Sequence, residues 1–179
     1  MKRILFLLSV LVIGLMSCKN DNTAGTPTQQ YRGSAAPPVV PDKSKFPREI
    51  TALTSNFGPG KDYWMFEFYL ISPVDSAKSY GNMGRWFQFY DNGTYINGRW
   101  QEDIGNGSWF LREGPYGPFL LLDNVIDSED MEWELQGLSA TMEEWSWVGT
   151  KKYGANNNFV KAIRLYSKPT KEQFNFTRD

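Results

Sequence analysis

Gly84-Arg85-Trp86-Phe87-Gln88-Phe89-Tyr90, Asp91-Asn92-Gly93, Thr94-Tyr95-Ile96-Asn97-Gly98-Arg99-Trp100 and, after four residues, Gly105-Asn106-Gly107-Ser108-Trp109-Phe110-Leu111 make up the stretch that decides the fold. Aromatic-rich runs alternate here with turn chemistry. Asp91-Asn92-Gly93 supplies residues that tolerate φ > 0, which a tight hairpin between twisted strands requires. Gly105-Asn106-Gly107 reads as a second turn of the same kind. The expectation is an antiparallel meander in which each strand pairs with the next.

Working outward, the same period-2 pattern recurs on both sides. Tyr63 to Ile71 puts Trp64, Phe66, Phe68 and Leu70 on one face and Glu67 on the other, the mark of a half-buried strand. Met131 to Gln136 alternates more cleanly, with Met131, Trp133 and Leu135 inward and Glu132 and Glu134 facing solvent. Phe119–Asp123, Thr141–Val148 and Phe159–Ser167 complete the set. Turns fall at Gly114–Pro118, in the acidic stretch Asp123–Asp130, at Gly137-Leu138-Ser139, and over Gly149–Asn158. Ile50–Asn56 offers one short helical turn. The chain is therefore all-β, an up-and-down meander of about eight strands. Closing it into a barrel removes edges that would otherwise invite aggregation.

The N-terminus carries an export signal. Met1-Lys2-Arg3 is basic, and Ile4 to Leu15 is almost wholly apolar: too short for a membrane span, which takes about 20 residues, but suited to a signal peptide. It ends in Leu15-Met16-Ser17-Cys18, and Cys18 is the only cysteine, so an internal disulfide is excluded. The tetrapeptide resembles the lipobox of bacterial lipoproteins. That resemblance implies cleavage after residue 17 and acylation of Cys18, palmitate among the chains, so that the protein is held in the cell envelope, most naturally at the outer membrane. Several acyl chains anchor stably where one does not. Residues 18–47 hold five of the ten prolines among small polar residues and read as a flexible tether. Residues 48–179 are the right size for one domain.

A second resemblance rests on the core stretch. Phe89-x-x-x-Gly93-Thr94-Tyr95, then Gly107-Ser108-Trp109, Leu120-Leu121-Leu122, and Trp133-Glu134-Leu135 leading to Leu138-Ser139 are similar, in this order, to small bacterial lipocalin-like lipoproteins. The resemblance covers roughly residues 84–150. It implies a lipocalin-like β-barrel and leaves the ligand open.

Chemistry narrows by exclusion. There is no histidine, and the lone cysteine is committed to the anchor, so imidazole and thiol catalysis and the usual zinc ligands are missing. The net charge of −1, with scattered basic residues, does not favour nucleic acid. The acidic run Asp123–Asp130 lacks the spacing of a calcium loop. No enzyme, metal or cofactor is expected. Aromatics, at 16% of the chain, remain. Most fill a core, but Trp86, Tyr95, Trp100, Trp145 and Trp147 exceed what one inward face per strand needs, and so are the candidates for binding a ligand or partner. Two functions follow: a barrel that binds a small hydrophobic or ring-bearing ligand or a glycan, or an adaptor that docks on another envelope protein through an exposed aromatic patch.

Overall fold

The computed structural model describes residues 36–70, 76–152 and 158–176; the stretch read as a signal peptide, Cys18 and the part of the expected tether up to residue 35 lie outside them. Eight strands follow in chain order: β1 (Tyr63–Leu70), β2 (Arg85–Phe89), β3 (Thr94–Arg99), β4 (Glu102–Arg112), β5 (Phe119–Asn124), β6 (Met131–Gln136), β7 (Glu144–Gly149) and β8 (Phe159–Leu165). Each pairs antiparallel with the next, and β8 returns to β1 from Tyr63↔Leu165 to Leu70↔Phe159, so the meander is a closed barrel. Two short helices, α1 (Pro47–Leu53) and α2 (Ser76–Asn82), flank β1. Pro47 at the start of α1 suits the first helical turn, where its missing N–H costs nothing. The turn read at Ile50–Asn56 is thus a helix displaced slightly upstream, and α2 has no counterpart in the sequence reading.

The turn at Asp91-Asn92-Gly93 forms as expected. Gly93 adopts φ +85°, and the Asn92 carboxamide accepts from both the backbone N (3.0 Å) and the hydroxyl (2.8 Å) of Thr94. The second expected turn does not form. Gly105-Asn106-Gly107 lies inside β4, and the chain reverses at Trp100-Gln101, where Trp100 has φ 50°. The glycines serve close approach instead: a Cβ on Gly107 would collide with the backbone of Asp123 on β5.

β1 carries a β-bulge between Phe66 and Phe68, opposite Ala162 and Lys161. One extra residue reverses the side-chain alternation. Trp64 and Phe66 therefore point inward with Tyr69, while Phe68 and Leu70 turn outward, 48% and 37% exposed. The single inward face expected for the whole of this strand is corrected at Glu67.

Antiparallel order gives the barrel two ends. At the lower end lie α1 and the β2–β3, β4–β5 and β6–β7 connections; at the upper end lie those between β1 and β2, β3 and β4, β5 and β6, and β7 and β8. The interior is filled by Trp64, Phe66, Phe87, Phe89, Trp109, Trp133 and their neighbours, in one apolar cluster with Ile50, Ala52 and Leu53 of α1. Edge-to-face pairs recur, such as Phe66 with Trp133 at 5.6 Å and Phe89 with Trp109 at 5.7 Å. A smaller cluster on the outer surface joins Met65, Trp86 and Trp100. Residues 36–46, read as the end of the tether, lie against the barrel: Ala36 N donates to Asp123 (3.2 Å), and its carbonyl accepts from Ser108 Oγ (2.5 Å).

Candidate functional site

The five aromatics singled out from the sequence are all buried, in two separate places. Tyr95, Trp145 and Trp147 belong to the barrel interior. Trp86 and Trp100 belong to the outer cluster, covered by the C-terminal segment. Trp86 Nε1 donates to the Trp100 carbonyl (2.8 Å), and the Trp100 ring lies 5.0 Å from that of Phe176 and 6.2 Å from that of Phe174. Lys168 sits over Trp86 at 5.0 Å and pairs with Asp103. No single surface unites the five.

The lower end is closed by packing and hydrogen bonds. Trp64 Nε1 donates to the Ala52 carbonyl in α1 (3.0 Å), and Trp109 Nε1 donates to the Tyr90 carbonyl (3.0 Å). Arg164 enters from β8, with its guanidinium 5.2 Å from the Trp64 ring and 5.1 Å from that of Phe57, and 3.9 Å from the Asp62 carboxylate. Arg164 Nη2 donates to Ala52 O. Asp62 also accepts from Ser55 Oγ (3.0 Å) and from the amides of Phe57 and Gly58.

The upper end is built differently. Tyr69, Tyr95, Asn97, Asn124 and Asn158 are all buried there. Asn124 Nδ2 donates to the Tyr95 hydroxyl (3.1 Å) and to Asn97 Oδ1 (3.4 Å), and Asn158 Nδ2 donates to the Tyr69 hydroxyl (3.3 Å). Burial raises the pKa of both tyrosines, and the asparagine hydrogen bonds and the charge of Arg85 only partly offset it. Both hydroxyls therefore stay protonated. Arg85 shares the inward side of β2 with Phe87, its Cζ 5.8 Å from that ring, and is 13% exposed at its side chain. Its Nη2 reaches Glu129, between β5 and β6, at 2.7 Å. Asn97 Nδ2, Arg85 Nε and, deeper, the indole nitrogens of Trp133 and Trp147 are buried without a protein acceptor among the described residues. Most buried polar groups find partners, so each such group is an anomaly; Ser79 Oγ, Trp100 Nε1 in the outer cluster, and Arg164 Nε and Nη1 at the lower end share it.

Sequence reasoning missed this polar end because asparagines inside a barrel look, residue by residue, like loop formers. The one available signal was alternation: Tyr95 and Asn97 share the face that Phe87 and Phe89 face across the β2–β3 pair.

Glu132 and Glu134, expected to face solvent, are buried on the outer side of β6. Glu132 pairs with Arg112 (2.9 Å) and accepts from Thr150 Oγ1 (2.7 Å); Glu134 accepts from Tyr116 N (2.9 Å) and Gln136 Nε2 (2.8 Å). Burial raises the Glu132 pKa, but the Thr150 and Arg112 hydrogen bonds outweigh it and hold the carboxyl below its ordinary range. Long side chains and the β4–β5 connection cover what alternation alone leaves exposed. In the acidic loop, Asp123 accepts from Ala36 N, Asp130 from Asn124 N (2.9 Å), and Glu129 pairs with Arg85. Among the described residues no three carboxylates are grouped to hold a metal, and no helix is long and apolar enough to cross a membrane.

The bulge in β1 also creates an outer feature. Phe68, Leu70 and Phe159, the last 37% exposed, lie together where Leu70 pairs with Phe159. Beside them a groove of about 270 Å³ is lined by Phe68, Phe159, Lys161 and Glu144 among others.

No described protein family, curated protein or solved structure matches the chain.

Proposed function

We propose that the protein is a lipid-anchored envelope lipoprotein, attached through Cys18, whose lipocalin-like barrel binds a small, partly apolar, ring-bearing ligand at its upper end. The observation that carries this reading is the gathering, among the unpaired buried groups, of four donors in and above the barrel interior with no acceptor among the described residues: Asn97 Nδ2, Arg85 Nε, and the indoles of Trp133 and Trp147. Leaving such a group unpaired costs about 1–3 kcal/mol. A ligand that offers acceptors above aromatic walls meets that need. The resemblance to lipocalin-like lipoproteins bears on the barrel and the anchor and leaves the ligand open.

A second reading, an adaptor docking on another envelope protein, has its own support. Phe68, Leu70 and Phe159 form an exposed apolar patch beside an open groove. None of the five aromatics expected to bind a ligand or partner is exposed: Trp86 and Trp100 are covered by the chain's own C-terminal segment, and Tyr95, Trp145 and Trp147 lie inside the barrel.

Mass spectrometry of the full-length protein extracted from its native envelope tests both. A co-purified small molecule, lost on Asn97→Leu, supports the barrel reading. A stoichiometric protein partner lost on Phe68→Ser and retained on Asn97→Leu replaces it. The anchor is tested separately: wild type is expected to partition into detergent and Cys18→Ser into the aqueous phase, and equal partitioning removes the lipoprotein reading.

A further inference from the structure

Arg85 is the one inward-facing cation at the upper end for which both a partner and an unused donor are visible. Its carboxylate partner, Glu129, is far away in sequence (44 residues) and comes from the β5–β6 connection, across the barrel from β2. Nε and Nη2 lie on the same edge of a guanidinium, the edge that grips a carboxylate with two parallel hydrogen bonds. Glu129 takes only Nη2, and Nε, buried, has no acceptor among the described residues. The Glu129 side chain is 37% exposed against 13% for Arg85, so the carboxylate reaches in from the rim to a cation that stays inside. Around that cation stand the Tyr69 and Tyr95 hydroxyls, which accept from Asn158 Nδ2 and Asn124 Nδ2, and the Asn97 amide with its unpaired donor. The unpaired groups nearest that cation, Arg85 Nε and Asn97 Nδ2, are both donors.

We infer that the upper end of the barrel is a carboxylate site: Arg85 binds the acid group of a small ring-bearing ligand, Asn97 and the tyrosine hydroxyls supply further donors, and Glu129 is an internal carboxylate that the ligand displaces. This rests on the ligand-binding reading and adds its charge. Displacing Glu129 exchanges one ion pair for another that uses both donors of the guanidinium edge. Glu129 sets the affinity by competition.

The test uses the full-length protein in detergent with a matched pair of probes, naphthalene-1-acetate and its primary amide, titrated by calorimetry. In wild type the acid is expected to bind roughly tenfold or more tightly than the amide, the scale of one charge-assisted contact. Glu129→Gln, which keeps the loop and removes the competitor, tightens the acid several-fold and leaves the amide unchanged. Arg85→Met abolishes the preference, and Arg85→Lys restores part of it, with circular dichroism verifying the fold of each. Equal binding of acid and amide in wild type and in Glu129→Gln overturns the carboxylate site while leaving the ligand-binding reading intact. Failure of both probes to bind either protein overturns both. An unchanged acid-to-amide ratio in Glu129→Gln makes Arg85–Glu129 a structural ion pair and also overturns the inference.

Discussion

The two ends of the barrel share strands and differ in what their polar groups do. At the lower end the indoles of Trp64 and Trp109 both donate to backbone carbonyls, α1 packs Ile50 and Leu53 into the interior, and the buried Arg164 lies beside Asp62 and two aromatic faces. At the upper end three asparagines and two tyrosines are buried among donors with no acceptor among the described residues. A protein gains nothing in stability from an unpaired buried donor. The lower end is therefore fastened by indole–carbonyl bonds and the packing of α1, although Arg164 Nε and Nη1 are also buried there without an acceptor among the described residues; at the upper end the unpaired donors are spread over Asn97, Arg85 and the indoles of Trp133 and Trp147.

The largest effect that would break this contrast belongs to Trp64. Trp64→Ala removes a fully buried ring and one of the bonds that dock α1, and is expected to cost about 3–5 kcal/mol in urea denaturation. A loss under about 1 kcal/mol would show that packing does not fasten the lower end. Asp62→Ala comes next: it leaves Arg164 buried without its carboxylate and uncaps Ser55, Phe57 and Gly58, at a cost of about 3 kcal/mol. A double change adding Arg164→Met should recover part of that loss.

The tyrosines give a pH test of the upper end. Burial raises the pKa of Tyr69 and Tyr95, so the folded state holds their protons when the unfolded chain releases them. Their contribution to stability is complete below the ordinary tyrosine value of about 10 and falls as pH climbs through and above it. Denaturation midpoints should therefore drop steeply above about pH 10, and less steeply in Tyr95→Phe. The smallest expected effect is that of Asn97→Leu, which replaces a half-paired amide with an apolar side chain. It should change stability by less than about 1 kcal/mol in either direction. A loss well beyond that would make the amide cluster a fastening like the lower end and erase the distinction.

Strand count, order and antiparallel pairing were legible in the amino-acid sequence because each strand pairs with its chain neighbour and a period of two marks its faces. The Asp91-Asn92-Gly93 turn and the burial of Trp133 and Leu135 follow from local pattern in the same way. Other features needed the closed barrel. The bulge at Glu67 turns Phe68 and Leu70 outward because β8 sets the pairing of β1, and no window within β1 reports that. Glu132 and Glu134 alternate as solvent-facing residues should, yet Arg112, Thr150 and the β4–β5 connection bury them. Trp86 and Trp100 look superfluous until Phe174 and Phe176 fold over them. Arg85 reads as one charge at the start of a strand, and only closure of the barrel sets it opposite Glu129. Alternation tells which side of a strand a residue occupies; which distant residue meets it there is decided by where the barrel brings the chain back.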